Sequence, residues 1–137
     1  MRQTIDLDHL PAEVVPFLEE FVIATITTQR PDGSLHVAAI GFTYDESAKQ
    51  CWLVAPPGSR KVRNIRAGSR AVVAQVEGSR WLSLEGPARL VEDAEGIAEA
   101  HRRYRVRYPG FAGGESGRIG IVIDVERMMG IPMRRTA

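Results

Sequence analysis

Apolar positions along the chain alternate between two spacings. From Leu7 to Phe21, Leu10, Val14, Phe17, Leu18 and Phe21 recur at helical spacing with Glu13, Glu19 and Glu20 between them, which predicts a first helix. Pro11 suits the first turn of that helix, whereas Pro16 would kink or end it. Residues 22–28 are β-branched and predict a strand. Arg30-Pro31-Asp32-Gly33 is turn chemistry, and 35–44 returns as a second strand to make a hairpin. Asp45 to Ala48 is the next turn, and 50–55 is a third strand. Pro56-Pro57-Gly58 then leads into a basic helix over Ser59–Ala67.

The second half repeats the logic. Residues 70–76 and 80–91 predict two strands joined at Glu77-Gly78-Ser79, with Pro87 requiring an edge position or a bulge. Residues 92–108 predict a helix whose inner stripe is Ala94, Ile97, His101, Tyr104 and Tyr108, stopped by Pro109-Gly110. A Gly-rich loop over 111–117, expected to be mobile, precedes a last strand over 118–125, and 128–137 is a tail. Helix, three strands, helix, two strands, helix, strand, without βαβ units, predicts an α+β fold: a small antiparallel barrel with helices packed on its openings. No linker divides the chain, so 1–137 is expected to be one domain.

Composition narrows function mainly by exclusion. Hydrophobic residues make up 44% and charged ones 26%, ordinary for a globular chain, and the net charge of +1 provides no broad basic field for nucleic acid. Any cationic site must be local. The single cysteine, Cys51, lies beside an apolar strand, cannot form an internal disulfide and has no metal-ligand spacing around it. With no signal peptide and no long apolar span, the chain is expected to be soluble and cytoplasmic.

The strongest local chemistry is Ser59-Arg60-Lys61-Val62-Arg63-Asn64-Ile65-Arg66. A Pro/Gly turn entering a basic helix brings free N–H groups, a hydroxyl and cations to one spot, which suits an anion; a capped surface helix with solvated bases fits the local sequence equally well. The strand His36-Val37-Ala38-Ala39-Ile40-Gly41-Phe42 is rich in small residues, which suits either a flat ring lying close to the backbone or a crowded barrel interior. Trp81 fits a ring cap, a dimer contact or the core. His9, His36 and His101 are not spaced as metal ligands, and no nucleophile elbow, paired carboxylates, P-loop or dinucleotide fingerprint occurs. An enzyme built on this chain therefore needs a cofactor to bring the reactive atom.

Four blocks resemble one family. Ile26-Thr27-Thr28 before the turn, His36-Val37-Ala38, Gly58-Ser59-Arg60-Lys61 with Asn64, and Arg80-Trp81-Leu82-Ser83-Leu84-Glu85-Gly86 are similar, in order and spacing, to the pyridoxamine-phosphate-oxidase-like split β-barrel superfamily. Within it the chain looks like the F-420 (deazaflavin)-dependent oxidoreductases of actinobacteria, and the last block resembles the biliverdin-reducing branch. The resemblance implies an FMN-binding-like split barrel and a cytoplasmic homodimer with the cofactor in a groove between subunits. It also implies hydride transfer from reduced F-420 to a conjugated small molecule such as biliverdin. His36, Val37, Ala38, Ala39 and Trp81 would then lie against the ring, and Ser59, Arg60, Lys61 and Asn64 would hold the phosphate. An FMN-dependent oxidase or reductase and a non-enzymatic carrier are the alternatives. The tail over 126–132 lacks the Arg-containing signature of the oxidases proper.

Overall fold

The computed structural model describes residues 3–110 and 117–134. Nine strands and three helices follow one another in the order β1 (Thr4–Ile5), α1 (Val14–Glu19), β2 (Ala24–Gln29), β3 (Leu35–Ile40), β4 (Thr43–Asp45), β5 (Gln50–Ala55), α2 (Arg60–Arg66), β6 (Arg70–Glu77), β7 (Arg80–Val91), α3 (Ala94–Arg107), β8 (Ile119–Asp124) and β9 (Arg127–Ile131). All pairings are antiparallel. The sheet runs β3-β2-β6-β7-β8-β5-β4, with β9 added on β7 and β1 on β9. Its path does not close, leaving β3, β4 and the branch strand β1 as edges, so the fold is the expected split barrel.

The long strand β7 makes this shape possible. Residues 80–87 pair with β6 and 88–91 with β8, while 81–85 also pair with β9. The hand-over falls at Gly86 and Pro87. A Cβ on Gly86 would lie 1.9 Å from the Asp124 carbonyl oxygen, so only glycine lets the strands cross this closely. Pro87 sits where β6 ends, which meets its need for a position without a ladder donor. The core fills the barrel with Ile26, Phe42, Leu53, Leu82, Leu84, Ile121, Ile123 and Met128, each at most 1% exposed. Cys51 is buried among them, and burial raises its thiol pKa far above the usual range.

Several elements depart from the sequence expectation. The first helix is short and begins at Val14, which places Pro16 in its first turn, where the missing N–H costs nothing. Leu7 and Leu10 still pack on the core, from non-helical backbone. The strand expected over 35–44 breaks at Gly41 and Phe42. A Cβ at Gly41 would approach the Tyr108 ring to 2.8 Å and the Tyr104 ring to 3.0 Å, so part of the small-residue run accommodates this chain's own tyrosines. β1 and β9 lay in stretches not expected to be strands, and they pair through Thr4↔Met129 and Ile5↔Met128. The inner face of α3 carries Ala100, His101 and Arg107, whereas Ala94 is exposed. The loop expected over 111–117 lies outside the described residues except for Gly117.

Arg107 could join that face because each of its three nitrogens donates a hydrogen bond. Its guanidinium donates to Glu20 O at 2.9 Å, Phe42 O at 2.7 Å and Gln75 Oε1 at 2.6 Å. Gln75 donates in turn to Phe17 O at 2.8 Å, and the Tyr108 hydroxyl donates to Val22 O at 2.9 Å. These bonds lock α1, the barrel and the end of α3 into one unit.

Candidate functional site

The barrel's inward face on β2 and β3 runs Ala24, Ile26, Thr28 and Ile40, Ala38, His36 in register. Period-2 alternation therefore separates the small-residue run. His36 and Ala38 face inward, while Val37 and Ala39 face outward, so no ring on one face of β3 meets all four. Trp81 shares the outward face with Val37 and Ala39, three strands away in the order β3-β2-β6-β7.

Helix α2 closes the inward side. Val62, Asn64 and Ile65 are its buried residues, and Asn64 Nδ2 donates to Thr28 Oγ1 at 3.0 Å. Ser59 has the extended backbone of an N-cap, yet its hydroxyl makes no capping bond, which corrects that part of the sequence expectation. Instead Ser59 Oγ is a buried atom without a partner, as are Asn64 Oδ1 and His36 Nδ1. Of seven such side-chain atoms among the described residues, three belong to α2, its N-cap residue and the strand position opposite Thr28, to which α2 is bonded. Either orientation of the Asn64 amide leaves one of its polar atoms over, since the Thr28 hydroxyl can bond to oxygen or nitrogen.

The electrostatics of this corner are one-sided. Burial lowers the His36 pKa, and Arg30, Lys61 and Arg60 lower it further by repulsion. The Lys61 pKa is lowered too, first by burial and then by Arg118. Neither Arg60 nor Lys61 has an ion-pair partner among the described residues. Arg63 is exposed, and the exposed Arg66 pairs with Glu92 at 2.8 Å, so these two act as solvated bases. Arg30 and Arg118 were missed by sequence reasoning. One sits in a turn and the other follows the Gly-rich stretch, and only folding brings them beside α2.

Of two cavities among the described residues, one borders these elements. The smaller, about 260 Å³, is lined by Asn64, Arg30, Gln29 and Ser69 among others. The larger, about 460 Å³, lies between α1, β4 and α3, and none of the expected site residues lines it. No helix among the described residues is long and apolar enough to cross a membrane.

An open antiparallel barrel with a cationic corner beside an edge strand belongs to the split-barrel class. Comparison with known proteins makes the assignment narrower. The sequence pattern described as pyridoxamine 5'-phosphate oxidase matches residues 10–131, so the chain belongs to that family. It is 37% identical over 122 residues to the F420H(2)-dependent biliverdin reductase of Mycobacterium tuberculosis (strain CDC 1551 / Oshkosh), covering 89% of this chain and 88% of that one. Among solved structures it resembles a conserved hypothetical protein from Mycobacterium tuberculosis, with TM-score 0.78, 22% identity and coverage of 100% of this chain and 96% of that one. It also resembles an F420 reductase, with TM-score 0.68, 22% identity and coverage of 82% and 93%. These two likenesses bear on the fold alone.

Proposed function

We propose that the protein is an F-420-dependent reductase that passes a hydride to a conjugated small molecule of the biliverdin type, working as a cytoplasmic homodimer. The observation that carries the cofactor assignment is the set of partnerless buried atoms at Ser59, Asn64 and His36 beside Arg60 and Lys61. Buried polar groups are normally satisfied, so such a cluster beside uncompensated positive charge suits an anionic ligand. Ser59 would donate its hydroxyl to a phosphate oxygen, and Arg60 and Lys61 would neutralise the phosphate. The 37% identity to a biliverdin reductase across most of both chains supports the substrate class.

The outward sheet face supports the dimer. Val37 and Val76 are 58% and 62% exposed, and Val72, Ala74, Trp81 and Ile131 lie on the same face. Ala39, Thr25, Ala74 and Ser83 form one row across β3, β2, β6 and β7, a strip of short side chains against which a second subunit and a planar ring can both lie flat. Val37, Ala39 and Trp81 would line that groove.

When bound, the coenzyme supplies a hydride equivalent; the protein needs no nucleophile. The chain's own contribution is to fix the phosphate, exclude water with the apolar face and orient the electron-poor carbon of the substrate. The test is titration of the purified protein with F-420 and with FMN, followed by a hydride-transfer assay with biliverdin. Coenzyme binding with measurable turnover is expected. Tight FMN binding without coenzyme binding refutes the cofactor assignment, and coenzyme binding without turnover leaves a carrier.

A further inference from the structure

His36 is an unusual neighbour for an anion site, because it is not yet charged. It lies directly across from Thr28 on β2, whose hydroxyl oxygen accepts a hydrogen bond from Asn64 Nδ2 of α2. Its Nδ1 is buried and has no partner. The charged groups acting on it come from the β2–β3 turn, as Arg30, and from α2, as Lys61 and Arg60. All three are cations; the Asp32 carboxylate in the same turn acts on Arg30, whereas Arg60 and Lys61 have no ion-pair partner among the described residues. A further positive charge at the imidazole is therefore opposed in the free protein, and the ring stays neutral at neutral pH.

An arriving anion reverses that balance. It compensates Arg60 and Lys61, and it offers Nδ1 the acceptor it lacks. We infer that His36 takes up a proton from solvent when the phosphate-bearing ligand binds, and that the resulting imidazolium donates its Nδ1–H to the anion. Binding is then proton-coupled: affinity is greatest below the free-state pKa of His36. It falls by up to about tenfold per pH unit between the free and the bound pKa, and levels off above the bound one. The inference rests on reading this corner as the phosphate site.

The experiment is an NMR pH titration of the histidine ring protons in the full chain, alone, with saturating sulfate and with F-420. His36→Gln assigns the signal among the three histidines. The free His36 should titrate below the ordinary value of 6.5, and either ligand should raise it by about one unit or more. Calorimetry across the same pH range should show the affinity slope in the wild type and its loss in His36→Gln. Coenzyme binding that leaves the His36 titration in place overturns the inference while the reductase assignment stands. A sulfate-induced rise without any coenzyme binding upholds the inference and removes the cofactor assignment. If neither ligand moves His36, the inference is wrong; this outcome is read in the wild type and does not depend on the variant folding.

Discussion

Replacing Lys61 by methionine should move ligand affinity and the stability of the free protein in different directions. Burial and Arg118 both oppose the Lys61 ammonium, so at neutral pH its charge works against the unliganded fold. Methionine keeps the half-buried stem and removes that charge, so the denaturation midpoint of the free protein should be equal to or above wild type. A charge-assisted contact to a phosphate is worth about 1.5–3 kcal/mol, so affinity should fall about 10- to 150-fold. At a ligand concentration of about 100 wild-type Kd the bound protein gains about 2.7 kcal/mol; a variant weakened about 30-fold gains only about 0.9 kcal/mol. Calorimetric titration with F-420 gives the affinity, and urea denaturation with and without ligand gives both stabilities. Unchanged affinity would place the phosphate away from Lys61. A free protein destabilised as much as binding is weakened would show that Lys61 supports the fold.

Three further outcomes test the scaffold. Gly86→Ala places a methyl 1.9 Å from Asp124 O, and relieving it must part β7 from β8; urea denaturation should show a loss of about 3 kcal/mol or more, and a midpoint within error of wild type would refute the crossing. Arg107→Met leaves Glu20 O, Phe42 O and Gln75 Oε1 without their donor and should cost about 3–5 kcal/mol by the same assay. Asp45 is held at about 2, first by the Ala48 N–H, then by the Ser47 hydroxyl and by Arg103. Because its folded pKa is depressed, its stabilisation is present above the unfolded carboxylate range and is lost as pH falls towards about 2; Asp45→Asn should flatten that part of the acid denaturation curve.

Much of the candidate site was legible because its chemistry is consecutive. Ser59, Arg60 and Lys61 follow a strand and a turn, and local rules suffice to bring them to a helix start. Trp81 and the β3 run were legible as unusual residues, and their division between two faces follows from strand alternation. Arg30 and Arg118 carry no local signal, because a lone arginine after a turn or beside a Gly-rich stretch is ordinary. Their part comes from long-range charge within a cluster that exists only once the strands are paired.

The sequence by itself determined the class of each main element, the antiparallel pattern and the run of cations at the start of α2. Periodicity, turn residues and helix-start residues act over a few positions, so they can be read without knowing the fold. The tertiary structure alone decided that β1 and β9 are strands, since their pairing partners are about 125 residues apart or lie on β7. It also decided that Arg107 is buried, because three acceptors from three separate segments satisfy it. The same holds for His36: burial and then Arg30, Lys61 and Arg60 lower its pKa only because β3 pairs with β2 beside α2. Charge interactions depend on distance in space, and distance in space is what a linear sequence does not carry.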